Sequence, residues 1–231
     1  MKSVISAAIT AFGLSCAGYL IGSGFVDAHS PQRTVQVKGL AEQKVKANQG
    51  QWQIRYKVVN NDLSGLYNNI EAAENEISKF LQNQGFKNQN IAVQPQNIND
   101  NQSNSYNANS SVPRYSADGS VAVFTTDVDN ILRSTQKVGT LVKNGVVITG
   151  TSTQYRYTQL NSIKPNMLLQ ATANARKAGE TFAQQSKSKL GPIKNAKQGL
   201  FTITGVNSTY DSASDINKKV RVVSTITFLL N

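Results

Sequence analysis

Gln51-Trp52-Gln53-Ile54-Arg55-Tyr56-Lys57-Val58 alternates polar and apolar residues without a break, the pattern of a strand with one dry face and one wet face. Asp62 follows as a helix cap. Leu66, Ile70, Ala73, Ile77 and Leu81 then recur at helical spacing until Gly85 ends the run. Upstream, Val35 and Val37 alternate with polar neighbours between Arg33 and Gly39, so this part of the chain reads strand, strand, helix.

Working outward, a strand near Ile91–Gln94 is expected to stop at Pro95. The run over residues 96–111, dominated by Asn, Ser and Gln, reads as a surface loop or disordered insertion with little to bury. Val121 and Val123 mark a further strand. Asp127 begins a helix with Ile131, Leu132, Val138 and Leu141 inward, closed by Asn144-Gly145, and a strand through Val146 and Ile148 to Tyr157 follows. Pro165 is expected to open a helix whose buried stripe is Leu168, Ala171, Ala175, Ala178 and Phe182, stopped by Gly191-Pro192. Strands around Ile193–Ile203 and Lys219–Leu230 finish the chain, separated by a polar loop from Thr204 to Asn217. The order ββαβ then βαβαββ predicts an α+β fold with mixed strand directions, preceded by a hydrophobic leader helix.

That leader is the uncharged run Val4–Val26, preceded by Met1, Lys2 and Ser3. As a helix it reaches about 34 Å, enough for a hydrocarbon core of about 30 Å, with Lys2 on the cytoplasmic side. Two fates stay open. Residues 4–26 remain as a signal anchor in the inner membrane, or a signal peptidase cuts after Ala28, where Val26 and Ala28 supply small residues. Acylation of Cys16 fits poorly, because Gly13 occupies a position that wants a branched apolar residue. Gly18 and Gly22 form a G-x-x-x-G spacing, a candidate transmembrane contact, although glycine is common in such segments. The chain thus divides into a leader, residues 1–28, and one exported α+β domain, residues 29–231, on the periplasmic side of the cell envelope.

Cys16 is the only cysteine, so the exported part holds no disulfide and relies on packing. The net charge of +11 is unevenly spread. Residues 1–131 are balanced, whereas residues 132–231 set fourteen bases against Glu180, Asp211 and Asp215. Such a surface attracts phosphates, acidic polysaccharide or anionic lipid headgroups, and export argues against nucleic acid. Lys218, Lys219 and Arg221 form the sharpest candidate for an anionic-ligand site or interface. Alternation puts Lys219 and Arg221 outward from Val220 and Val222; the competing reading is an edge strand guarded by cations.

No catalytic, metal or cofactor constellation is expected, and the chain does not read as an enzyme. His29 is the only histidine. Neither it nor Cys16 is placed for a triad or a His- or Cys-based metal site. Two carboxylate pairs have simple structural readings: Glu71 and Glu74 on the solvated helix face, Asp127 as a cap with Asp129 complementing the helix dipole. Gly145 and Gly150 lack the rest of a phosphate loop.

Several segments resemble the SIMPL-domain proteins of bacterial cell envelopes. They are the opening strand Val35–Gly39, the strand Trp52–Val59, the long helix with its Gly85-Phe86 break, the Ala-rich helix Ala171–Ala178, and above all the last strand Lys218–Ile226. The leader from Ala17 to Phe25 is similar to the anchors of some members. The resemblance spans residues 33–230. It implies an exported, often oligomeric protein, with some members forming ring- or barrel-like assemblies and some linked to envelope or oxidative-stress tolerance. It implies no active site. The expected partner is a second copy of the chain, with an anionic envelope polymer or lipid as the alternative.

Overall fold

The computed structural model describes residues 12–22, 32–103, 112–206 and 213–231. Most of the leader, the cleavage position at Ala28, His29 and the centre of the Asn-rich loop lie outside the described residues. Residues 12–22 form an exposed helix, α1. The order then runs β1 (Thr34–Lys46), β2 (Gln49–Asn60), α2 (Leu63–Asn83), a 3-10 turn at Asn88–Asn90, β3 (Ile91–Asp100), β4 (Tyr115–Thr125), α3 (Val128–Thr135) and α4 (Gly139–Lys143). It continues with β5 (Ile148–Arg156), α5 (Leu160–Gln185), β6 (Leu190–Gln198), β7 (Thr202–Gly205) and β8 (Asn217–Leu230). Helices and sheets make an α+β fold. Among the described residues no helix is long and apolar enough to cross a membrane.

The chain forms two compact units. The first comprises residues 1–40, 171–199 and 224–231; the second comprises residues 41–170 and 200–223. In the second, an antiparallel sheet has the order β3-β4-β2-β5. The alternation read in β2 sets its core: Trp52, Ile54 and Tyr56 point to one face with Val121 and Val123 of β4, and meet Ile77, Phe80 and Leu81 of α2 and Ile131 of α3. Trp52 is fully buried, with the rings of Phe80 and Phe86 at 6.2 and 6.4 Å, edge-on and tilted. Burial of these large apolar side chains supplies most of the driving force here, at roughly 1.5–3 kcal/mol each. Asp62 caps α2 as expected, accepting the Gly65 N–H at 2.8 Å, and Gly85 turns the chain at φ +88°.

In the first unit, the sheet order is β1-β8-β6, and the Leu230 N–H donates to the Arg33 carbonyl at 2.9 Å. Val37, Ile226 and Phe228 pack against Ala175 of α5. Gly39 brings strand and helix close: a Cβ there would lie 1.8 Å from the Ala171 carbonyl oxygen. Asn174 Nδ2 clamps the same approach by donating to the Leu40 carbonyl at 2.8 Å.

Several expectations are corrected. The pairings β2–β4, β2–β5, β3–β4, β6–β8 and β7–β8 are all antiparallel, not mixed. β3 does not stop at Pro95 but continues to Asp100, taking residues 96–100 out of the expected loop. The proline is tolerated because β3 is an edge strand and its register shifts between Gln94 and Asn97, so no ladder bond is asked of Pro95. The helix begun by Asp127 breaks into α3 and α4, with Leu132 exposed. Pro165 lies inside α5, because the chain has already turned at Gln159, whose carbonyl accepts from Ser162. The buried stripe of α5 is Met167, Ala171, Ala175 and Ala183, with Phe182 60% exposed. That helix ends at Gln185, Lys187 taking the left-handed conformation at φ 55°, and Gly191 belongs to β6. Ile193–Ile203 holds two strands, β6 and β7, separated at residues 199–201.

Candidate functional site

The basic cluster is divided by its own strand. In β8, Lys218, Val220 and Val222 share the buried face, while Arg221 is exposed and Lys219 half-buried. Lys218 is 1% exposed, so it presents no charge to a ligand on the outer face. Arg221 pairs with Glu42 at 3.7 Å, both substantially exposed, an arrangement that contributes little stability. Nor is β8 an edge strand, because β1 lies on one side and β6 and β7 on the other. The period-two argument placed Lys219 and Arg221 correctly; it missed that Lys218 is carried inward by the same alternation. Gly18 and Gly22 lie in α1, where a Cβ at either would meet nothing within 4 Å.

The carboxylate pairs resolve into structural roles. Asp127 caps α3, accepting the Asn130 N–H at 3.0 Å, and Asp129 in the first turn pairs with Lys46 at 2.5 Å. Glu71 is exposed, but Glu74 is not simply solvated: it accepts the Tyr56 hydroxyl at 2.7 Å and also the Gln96 side-chain amide. Burial, reinforced by the Glu74 carboxylate, raises the Tyr56 pKa well above its ordinary value. A Cβ at Gly119 would fall 2.4 Å from the Tyr56 hydroxyl, so the bare backbone of β4 makes room for this ring. The result ties α2 to β2 and to the edge strand β3. Among the described residues no group of three His, Cys, Asp or Glu side chains could hold a metal ion. Cys16 is exposed and free.

The second unit carries a concave site that the sequence did not announce. A groove of 430 Å³ is lined by Gln49, Gln51, Asn90, Phe124, Gln154 and Arg156 with neighbouring residues. Register explains it. Gln51 of β2 stands opposite Phe124 of β4 and Gln154 of β5, and Gln49 stands opposite Arg156. Opposed residues share a face, so five side chains from three strands emerge together on the side away from the helices. Phe124 is 46% exposed, an aromatic ring among amides. Only the pairing of distant strands makes these residues neighbours; Gln51 on the polar face of β2 was the single legible sign.

Comparison with known proteins gives one strong result. No curated protein matches the chain. Among solved structures, a mutant chlorite dismutase from Candidatus Nitrospira defluvii is similar at 10% identity over 81% of this chain and 93% of that one, and its TM-score of 0.25 carries no inference. The model of the SIMPL family, described as proteins of unknown function (DUF541), matches residues 35–225. It covers both sheets and α2 to α5 in order, and the chain belongs to the SIMPL family.

Proposed function

We propose that this SIMPL protein is exported to the cell envelope, where it acts without catalysis by assembling with copies of itself and contributes to envelope or oxidative-stress tolerance. The observation that carries self-assembly is β6. It is an edge strand of its sheet, and every residue from Pro192 to Gln198 is exposed. An exposed edge is a template for another strand, and Pro192, Lys194 and Lys197 restrict which strand can pair with it. The uncharged run Val4–Val26 supports export, and the stress role rests on the family likeness alone.

Light scattering on the purified full chain tests the assembly. A defined oligomer is expected, and Ala196→Lys, which adds a third cation to the β6 edge, should shift it toward monomer. A monomer mass across roughly a hundredfold range of concentration removes the reading. Mass spectrometry of the mature chain separates anchor from cleaved leader: a chain beginning at His29 means cleavage. The alternative, a monomeric binder of anionic envelope polymer or lipid through the basic residues 132–231, predicts binding to anionic vesicles that collapses between low and physiological salt.

A further inference from the structure

The groove across β4, β2 and β5 has the composition of a recognition site, and neither the family nor the assembly reading assigns it a role. Its first row is Phe124, Gln51 and Gln154; two residues further along β2 and β5 the second row adds Gln49 and Arg156, with Thr126 just past the end of β4 also lining the groove. At about 4.8 Å between strands, each row is about 10 Å long, and the rows are about 7 Å apart. That is the footprint of two linked pyranose rings.

We propose that this groove binds a short oligosaccharide bearing a carboxylate, a hexuronic-acid type of glycan. Three features select that chemistry. The exposed Phe124 ring offers a flat apolar face at one end of the row, which suits the C–H face of a pyranose. Gln49, Gln51 and Gln154 each present a carbonyl and an amide, so they both accept from and donate to ring hydroxyls. Gln49, Gln51 and Gln154 make no side-chain hydrogen bond to the described residues, which leaves their amides to a ligand or to water. Arg156 is exposed, and its planar guanidinium matches one carboxylate in bidentate fashion at the far corner from the ring. A ring at one end and a cation at the diagonal fix the direction in which the chain lies. The proposal does not rest on self-assembly, and its loss leaves that reading intact.

The test is calorimetric titration of the full chain with trigalacturonic acid, its methyl ester, maltotriose and oligothymidylate. Trigalacturonic acid should bind saturably with a Kd of about 1 mM or below, and the ester about tenfold more weakly. Phe124→Ala should weaken acid and ester alike by about tenfold, whereas Arg156→Gln should weaken only the acid and bring the two ligands level. Gln154→Ala, an exposed change, gives a second variant if either of these fails to fold, and it should lower affinity for both sugars. Absence of saturable binding up to about 10 mM overturns the proposal. So does binding that all three variants leave unchanged, which would place the glycan elsewhere on the basic half. Tighter, competing binding of oligothymidylate would reassign the groove to single-stranded nucleic acid and equally end the sugar assignment.

Discussion

Replacing Gly39 with alanine tests the close approach of β1 to α5. The added Cβ would sit 1.8 Å from the Ala171 carbonyl oxygen, 2.6 Å from the Ala175 backbone nitrogen and 2.8 Å from the Ala175 Cβ. Restoring an ordinary separation of about 3.3 Å requires β1 and α5 to part by about 1.5 Å, enough to forfeit much of the dispersion energy along their contact. The packing of Val37, Ala175, Ile226 and Phe228 and the bond from Asn174 to the Leu40 carbonyl all span that gap. Overpacking together with the lost contacts should cost about 3 kcal/mol. For a chain of this size the melting temperature should then fall by about 6–12 °C, read by circular dichroism. A second substitution, Ala175→Gly, removes only one of the three clashes and leaves both backbone atoms in place, so it should restore little. A Gly39→Ala protein melting within about 2 °C of the parent would refute the argument, because it would mean that the strand and helix are not held at this distance.

Further outcomes follow from the second unit. Gly119→Ala should destabilise by about 2 kcal/mol in urea unfolding, since its Cβ collides with the Tyr56 hydroxyl and ring. Tyr56→Phe leaves Glu74 without the buried hydroxyl and should cost about 1 kcal/mol near neutral pH. Because the folded pKa of Tyr56 is raised, its contribution is fully present below the unfolded value of 10.0 and is lost as pH rises above it. The parent should therefore weaken above that pH, and Tyr56→Phe should weaken less steeply; Tyr155, also raised mainly by burial, sustains part of the slope in both. Asp62→Ala should lower the unfolding midpoint at neutral pH by removing the α2 cap. The Asp62 carboxyl is held below its ordinary 3.8, chiefly by the Gly65 N–H, so its contribution is present above that pH and fades as pH falls below it, where parent and variant should converge.

The legible parts of this fold were those governed by local periodicity. β2 and α2 could be read because alternation and helical spacing follow from which face meets the core, and Asp62 and Asp127 because a cap is a contact within four residues. What escaped depended on partners far along the chain. Pro95 looks like a stop until β3 is known to be an edge with a register shift, whereas Lys218 was within reach of the local alternation that buries Val220 and Val222 beside it. Phe182 matched the helical stripe yet faces solvent, the buried position at that level of α5 being taken by its neighbour Ala183. The groove is the extreme case: Gln51, Phe124 and Gln154 are adjacent only through pairings across β2, β4 and β5.

The first compact unit gathers residues 1–40, 171–199 and 224–231, and the last bond of its sheet joins Leu230 to Arg33. Synthesis from the amino end delivers β1 long before β8, so β1 waits without its partner while everything between them is made. The segment from β2 to β5 is contiguous and can collapse as soon as it emerges, whereas the first unit closes only once β8 has followed. Loss of residues 224–231 would therefore act as more than fraying of an end: it would remove the half of β8 that pairs with β6 and reaches Arg33, leaving β6 without a partner strand.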